Sequence, residues 1–158
     1  MKKTVFYSIL AIAAVCLWLA THSETAKIKR VFSSFEKVAS CERLCTVLES
    51  AARARALSRF FKDGCAVVAP ESGVNSVLSR EDIAGAALGA FSGVKSLSLR
   101  FFDLKVSVNG DTARAEGTVK ATGAETMRIQ DDRCAFVACL EKTEGRWLVS
   151  RVEVSPKD

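Results

Sequence analysis

The chain has 158 residues, of which 49% are hydrophobic and 26% charged, and a formal net charge of +5. This composition is typical of a globular protein and excludes a disordered or fibrous chain, and the length favours one domain. The single histidine and the lack of any C-x2-C pair exclude the usual zinc-binding patterns.

The N-terminal segment is strongly hydrophobic. Lys2 and Lys3 precede an apolar run over residues 5–20, shorter than the ~20 residues that span a bilayer and longer than most signal-peptide cores. We expect residues 1–26 to form a signal-anchor or a cleaved signal peptide with a short linker, ahead of a domain at 27–158. We expect the chain to cross the inner membrane once, through residues 5–20, and to place its domain in the periplasm. The alternative is secretion to the periplasm.

Positive charge is concentrated in residues 27–62, where nine lysines and arginines face three glutamates. Beside a hydrophobic anchor, such a segment can be attracted to anionic headgroups, by ~1 kcal/mol per cation near the surface. The other interpretation is a solvated helix face. Since no aromatic residues interleave the cations in a nucleic-acid-binding motif, no nucleic-acid partner is expected.

Two amphipathic helices are predicted at the start of the domain. Between Ile28 and Ala39, apolar residues recur at the i, i+3, i+4 spacing of a helix with one buried face. A second apolar stripe runs from Leu44 to Phe61, and Gly64 is expected to end that helix.

A short strand and a third helix are predicted next. Residues 65–69 are typical of a buried strand, and Pro70 begins the following loop. Ser79 and Asp82 have the spacing of a capping box, which predicts a helix start, and Gly93 predicts its end.

The remaining chain alternates as antiparallel strands do. The first long strand changes phase near Asp103, which indicates a β-bulge. Asn109-Gly110 predicts a two-residue type I′ hairpin turn, and Glu144-Gly145 predicts a second turn. The strand over about 128–142 is apolar on both faces near its centre, so we expect both faces to be covered. Together the elements predict an α+β fold in which one curved antiparallel sheet wraps around helices.

Four segments resemble the nuclear transport factor 2-like (SnoaL-like) superfamily: RARALSRFFKDGCAVVAP, SREDIAGAALGAF, LKVSVNGDTARAEGTV and EGRWLVSRVEV. The resemblance covers residues 27–154. It implies a cone-shaped α+β fold with N-terminal helices packed against a strongly curved sheet and a pocket at the wide end. Because the superfamily includes isomerases, dehydratases, hydrolases, polyketide cyclases, transport adaptors and secretion-system scaffolds, the fold does not imply one activity.

The catalytic sets that the resemblance implies do not carry over. Isomerase-like members use a carboxylate with a tyrosine, and dehydratase-like members use histidines and tyrosines. The only tyrosine here is Tyr7 and the only histidine is His22, both before the domain. The best candidate is Asp103, which a bulge could turn toward the interior as a general base with Arg100 as its charge partner. The alternative is a bulge residue exposed to water.

The cysteines and acidic pairs predict no metal or cofactor. Cys41 and Cys45 fall between the first two helices, where an irregular chain could let them form a disulfide outside the cytoplasm. Three other cysteines of the domain are interpreted as small apolar residues; they are Cys65, Cys134 and Cys139. Asp131, Asp132 and Arg133 are interpreted as a solvated charge cluster.

One strand has an unusually small face, formed by Ala113, Ala115, Gly117 and Ala121. It either leaves room for an apolar ligand or lets a helix approach closely. Trp147 is predicted to be a core anchor.

The sequence favours a ligand-binding or scaffolding domain of the cell envelope. Its expected partner is a small apolar ligand or an envelope protein, and a homodimer is a further expectation. The alternative is an isomerase, lyase or polyketide-cyclase-like enzyme that uses the cone pocket. Convergent polar groups in a pocket of roughly several hundred Å³ would favour the enzyme, and an apolar interior would favour binding or scaffolding.

Overall fold

The computed structural model describes residues 2–123 and 133–156 as an α+β fold. Its helices are α1 (Lys2–Ala39), α2 (Val47–Ser58) and α3 (Arg80–Ser92). Its strands are β1 (Phe61–Ala69), β2 (Val74–Leu78), β3 (Ser98–Asn109), β4 (Thr112–Thr122), β5 (Arg133–Thr143) and β6 (Arg146–Pro156). A 3₁₀ turn, Pro70–Ser72, joins β1 to β2. The predicted fold class is confirmed.

The described strands form one curved, unclosed sheet in the order β2-β1-β6-β5-β4-β3. Strands β3 to β6 make the predicted antiparallel meander, while β1 pairs with β6 in parallel. Strand β2 was not predicted, because most of it is exposed and gives no alternating pattern. Gly73, with φ +66°, ends the 3₁₀ turn and lets the chain fold back beside β1.

Helix α1 continues without a break from the hydrophobic segment to Ala39. Its C-terminal half corresponds to the predicted first helix and buries Ile28, Phe32 and Ala39 in the core. Five large apolar side chains nearer the N-terminus are 55–71% exposed; they are Ile12, Val15, Leu17, Trp18 and Leu19. Within the described part of the chain, no helix combines the length and apolarity needed to span a membrane.

Helix α2 is shorter than predicted at both ends. Thr46 and Glu49 form a reciprocal capping box that starts the helix at Val47. Leu44, Val47 and Leu48 are 68%, 84% and 81% exposed, so the prediction that the apolar stripe is buried from Leu44 onward is wrong. The buried face is formed by Ser50, Ala54, Leu57 and Ser58, so the later part of the predicted stripe, Ala54 and Leu57, is confirmed.

The C-terminal end of the predicted second helix belongs to β1. The helix ends at Ser58, and Phe61 opens the strand. Gly64 has φ +76° and lies where the pairing of β1 with β6 shifts register, so this glycine allows an irregularity within the strand and does not end the helix. Helix α3 agrees with prediction: Ser79 and Asp82 form its capping box and Gly93 is its C-cap.

The phase change in β3 is a bulge, as predicted. The pairing with β4 shifts between Phe102 and Lys105, and Asp103 has φ 55°. Both Phe101 and Leu104 pack against the core, so the residues between them lie on the other face of the sheet.

The hairpin after β3 differs from prediction. Asn109 pairs with Thr112, so the two loop residues are Gly110 and Asp111. Of the turn residues only Gly110 has positive φ, +59°, which is typical of a type II′ turn and excludes type I′. A type I′ turn needs positive φ at both loop residues. The β5–β6 hairpin meets this requirement, since Glu144 and Gly145 have φ 51° and 76°.

Strand β5 is covered unequally on its two faces. Phe136, Ala138 and Leu140 are buried in the core, whereas the alternate residues from 135 to 139 are half-buried. The prediction that both faces are covered therefore holds fully for only one. Residues 128–132 of the predicted strand, including Asp131 and Asp132, lie outside the described residues.

A polar cluster at Glu24 attaches α1 to the β5–β6 hairpin. The indole Nε1 of Trp147 donates to Glu24 Oε2 at 2.7 Å, while Nζ of Lys27 and of Lys142 lie 2.7 Å and 3.2 Å from the carboxylate. Trp147 is only 4% exposed, which confirms it as a core anchor. Hydrogen bonds from Lys27 and then from Trp147 and Lys142 lower the pKa of Glu24 from near 4.5 to about 2.

Replacing Glu24 by Gln should weaken this attachment. The amide keeps an acceptor for Trp147 but removes the charge that binds both lysines, so we expect a loss of about 1–2 kcal/mol in unfolding free energy at pH 7. Because folding depresses the pKa, the carboxylate's contribution is complete above about pH 4.5 and is lost as pH falls toward 2. Urea unfolding of both proteins at pH 7, 4 and 2 measures this. A stability difference that stayed constant down to pH 2 would contradict the proposed charge contribution.

Candidate ligand-binding site

An apolar cavity of about 170 Å³ lies between α1 and the concave face of the sheet. Every described residue that lines it is apolar. Six are phenylalanines: Phe32, Phe35, Phe60, Phe61, Phe101 and Phe136. Leu99, Ala138 and five valines complete the wall. The cavity therefore offers a ligand contact area without hydrogen-bonding groups.

The aromatic walls are held by contacts between elements. Phe32 of α1 meets Phe101 of β3 edge to face, with ring centroids 5.1 Å apart, and Phe101 meets Phe136 of β5 at the same distance. Phe35, one turn along α1, lies 5.5 Å from Phe60 and 5.9 Å from Phe61. Edge-to-face pairs stabilise by roughly 0.5–1.5 kcal/mol beyond the area that they bury. The walls are therefore fixed by rings from α1, the α2–β1 junction and two strands.

The size and chemistry of the cavity suit a small hydrocarbon. An apolar protein cavity of about 150 Å³ stays dry and takes up benzene or xenon. A polar ligand would lose its hydrogen bonds to water here, at a cost of about 1–3 kcal/mol for each unpaired group.

Asp103 and Arg100, the predicted acid–base pair, both lie exposed on the outer side of the sheet. The bulge turns Asp103 away from the interior, since Phe101 and Leu104 on either side occupy the core face. Neither candidate lines the apolar cavity. The premise of the catalytic interpretation, a buried carboxylate, is therefore not met, and the alternative of an exposed bulge residue describes Asp103.

A larger polar groove of about 1060 Å³ lies at the C-terminal end of α1, beside the start of β3. Several of its charged side chains hold backbone groups. Arg53 donates to the carbonyl oxygens of Val38 and Ser40 at 3.1 Å and 2.7 Å, which satisfies the last turn of α1. Glu36 accepts from the backbone N–H of Phe101 at 2.5 Å. These contacts dock the end of α1 onto β3.

A disulfide joins Cys41 to Cys45 beside this groove, with an S–S distance of 2.10 Å. The backbone of Cys41 exchanges two hydrogen bonds with Leu97, at 2.6 Å and 2.8 Å. Cys65 is fully buried, and burial raises the pKa of its thiol to about 11. Among the residues described, no group of three histidine, cysteine or acidic side chains could hold a metal ion.

The small face of β4 packs closely. Ala113 and Ala115 are buried in the core, and a Cβ placed on Gly117 would lie 2.7 Å from the carbonyl oxygen of Phe102. These residues do not line the cavity, which reaches β4 only at Val119. The element that approaches Gly117 closely is the neighbouring strand β3 and not a helix.

Sequence reasoning missed the phenylalanine walls. The available signal was composition: nine phenylalanines against one tyrosine, an aromatic set almost without polar groups. Hydrophobic spacing predicts a helix through Phe60 and Phe61, whereas the helix ends before them and both rings reach the cavity.

The fold and the sequence together define the family. Residues 38–156 match the SnoaL-like domain, and the chain belongs to that family. The predicted resemblance to the nuclear transport factor 2-like (SnoaL-like) superfamily is thereby confirmed. No curated protein matches the chain in sequence.

Solved structures show the same fold at low sequence identity. A proposed scytalone dehydratase from Novosphingobium aromaticivorans is 16% identical, with a TM-score of 0.68, over 86% of this chain and 85% of that one. A nuclear transport factor 2-like protein with a cystatin-like fold from the same species is 18% identical, with a TM-score of 0.67, over 93% and 88%. A proposed calcium/calmodulin-dependent protein kinase II association domain from Xanthomonas campestris is 14% identical, with a TM-score of 0.62, over 82% and 85%.

Proposed function

We propose that this domain binds a small apolar ligand in its cone interior without chemically changing it. The observation that supports this is the cavity wall, in which every described side chain is apolar. General acid–base chemistry needs a titratable group within hydrogen-bond reach of the substrate. The one carboxylate suggested by the sequence, Asp103, lies on the other face of the sheet, so binding is favoured over the enzymatic alternative.

The cavity volume limits the ligand to about the size of a single substituted ring. About 170 Å³ is close to the volume that accepts benzene. The surrounding phenylalanine edges and faces favour a neutral aromatic compound over a branched aliphatic one. For a ligand with roughly six to eight heavy atoms we expect a dissociation constant on the order of 0.1–1 mM.

Filling the cavity should abolish this binding. Ala138 is buried and lines the cavity, so Ala138→Leu would place its added carbons in the ligand space. We expect toluene, titrated by calorimetry or by NMR shifts, to bind the wild-type chain and to bind this variant at least about tenfold more weakly, a loss of ~1.4 kcal/mol.

Two controls make the result specific. Ala52→Leu makes the same substitution at an exposed position of α2 and should leave the affinity unchanged. Phenol should bind about tenfold more weakly than toluene, because its hydroxyl would be buried without a partner. Equal toluene affinity in the wild-type and Ala138→Leu proteins, with both folded by circular dichroism, would sink the proposed site.

We further propose that the chain is exported to the periplasm, or that it is anchored in the inner membrane with its folded domain in the periplasm. Support comes from the apolar run at residues 5–20 behind two lysines. The exposed apolar side chains of α1 between Ile12 and Leu19 and the Cys41–Cys45 disulfide agree with this location.

A reporter fusion tests the location. Alkaline phosphatase fused after Asp158 should be active, since that enzyme needs the oxidising compartment to form its disulfides. Green fluorescent protein fused at the same residue should stay dark when exported through the general secretory route. An inactive phosphatase together with a fluorescent fusion would place the domain in the cytoplasm and reject the proposal.

A further inference from the structure

One edge of the described sheet is a short strand without charged residues. Strand β2 pairs with β1 on one side and borders no described strand on its outer side. Because alternate N–H and C=O groups of an antiparallel strand point away from its partner, half of the backbone groups of β2 face outward. Its sequence is VNSVL, and Val74 and Val77 are 39% and 70% exposed. Residues 124–132, which the structure does not describe, connect β4 to β5, and β5 is three strands away from β2.

The opposite edge of the sheet is protected against pairing. Edge strands are commonly shielded by charged side chains, proline, bulges or a covering element. The end of α1 covers the start of β3, where Glu36 accepts the backbone N–H of Phe101. Ser40 accepts the N–H of Leu99 in the same way, and the bulge at Asp103 then interrupts the edge. Strand β2 has no charge, proline or register shift along its pairing with β1. A head-to-tail contact between β2 of one copy and β3 of the next is therefore disfavoured, and β2 is the described edge that is open to a further strand.

The residue pattern of β2 is complementary to itself. When two copies pair antiparallel about a two-fold axis at Ser76, every residue of each strand has a partner. Val74 then lies opposite Leu78 of the second copy, and the axis repeats this pair. Asn75 lies opposite Val77 of the second copy in the same way. Residues directly opposite share a face, so Val74 and Leu78 make an apolar contact on the face where Leu78 already packs against the core. Since no residue of the strand is charged, no like charges oppose one another across it.

We propose that β2 is a dimerisation edge, to which β2 of a second copy of this chain adds antiparallel about Ser76. The two six-stranded sheets then continue into one another, and the backbone groups on the outer side of each β2 are paired. Because both copies use the same surface, the contact is isologous and closes at two copies. The homodimer expected from the sequence thereby gains a defined surface, and that surface contains no residue of the cavity wall.

An extended segment of a different protein fits this edge less well than a second copy does. Strand addition takes its specificity from pockets beside the edge strand, which receive alternate side chains of the added segment. Neither the apolar cavity nor the polar groove is lined by a residue of β2. Self-pairing needs no such pockets, because the two-fold symmetry supplies matched side chains on both strands.

The dimer is expected to be weak in solution. Five residues from each chain bury less than the ~1,200 Å² at which stable interfaces begin, so we expect a dissociation constant on the order of 10–100 µM. In the proposed membrane-anchored form, residues 5–20 confine both copies to one bilayer, and the higher effective concentration favours pairing.

Charge exchange at Val77 tests the proposal. In the proposed register Val77 and Val77 of the second copy are diagonal neighbours, about 7–8 Å apart. Val77→Lys and Val77→Glu should therefore each weaken the dimer at least about tenfold through like-charge repulsion. An equimolar mixture of the two variants should recover about the wild-type affinity, because opposite charges then face each other. The measurement is sedimentation equilibrium of the full chain in a density-matched neutral detergent at low salt, with protein up to about 1 mM.

Val47→Lys is the matched control, because Val47 is also highly exposed, at 84%, and lies on α2 outside the proposed edge. It should change the dissociation constant less than about twofold. All three variants should melt within a few degrees of the wild type, since the replaced side chains are exposed, and this separates lost pairing from lost folding.

Four results would overturn the proposal. A wild-type chain that stays monomeric up to about 1 mM would do so and would favour a different protein as the occupant of the edge. The others are equal dimerisation of the wild type and the Val77 variants, a mixture of these variants that associates no more strongly than either alone, and an equal loss of affinity in Val47→Lys.

Discussion

The packing of one aromatic helix face into a curved sheet determines most of this structure. Phe32 and Phe35 of α1 contact rings from β3, β5 and the α2–β1 junction, with centroid separations of 5.1–5.9 Å. Edge-to-face pairing fixes the angle at which each ring meets its neighbour, and an aromatic side chain has only two χ angles with which to adjust. The cavity follows from this geometry, since its walls are the rings that hold the helix in place.

Polar contacts at both ends of the docked helix keep that gap from collapsing. At one end Glu24 binds Trp147 and Lys142 of the β5–β6 hairpin, and at the other Glu36 and Ser40 bind backbone N–H groups of β3. A helix fixed at both ends cannot slide toward the sheet to close the space, and closing it would break charge-assisted hydrogen bonds of about 1.5–3 kcal/mol each. Apolar walls and polar anchors are therefore separated along the same helix, and only the walls reach the cavity.

The sequence predicted features that depend on neighbouring residues, such as the capping box of α3 and the bulge in β3. It missed features that depend on tertiary packing. The bulge at Asp103 could be predicted, because a phase change in the apolar alternation shows where successive side chains change face. The face on which Asp103 itself lies could not be predicted, because it depends on how many extra residues the bulge contains. Leu44 and Leu48 look like core residues, but tertiary packing leaves them 68% and 81% exposed. The T-x-x-E spacing of Thr46 and Glu49 marks the true start of α2, and the prediction from hydrophobic spacing missed it. The cavity has no sequence motif, because residues from α1, the α2–β1 junction and the sheet form it jointly.

The most direct measurement of the central claim is a crystal structure of the chain under xenon pressure, with anomalous data collected to locate the gas. Xenon enters dry apolar cavities of this size and has no affinity for polar grooves. The account predicts an anomalous peak among Phe32, Phe101 and Phe136, with the surrounding side chains unmoved. A crystal in which the rings have closed on one another and no xenon appears in the cone would contradict it.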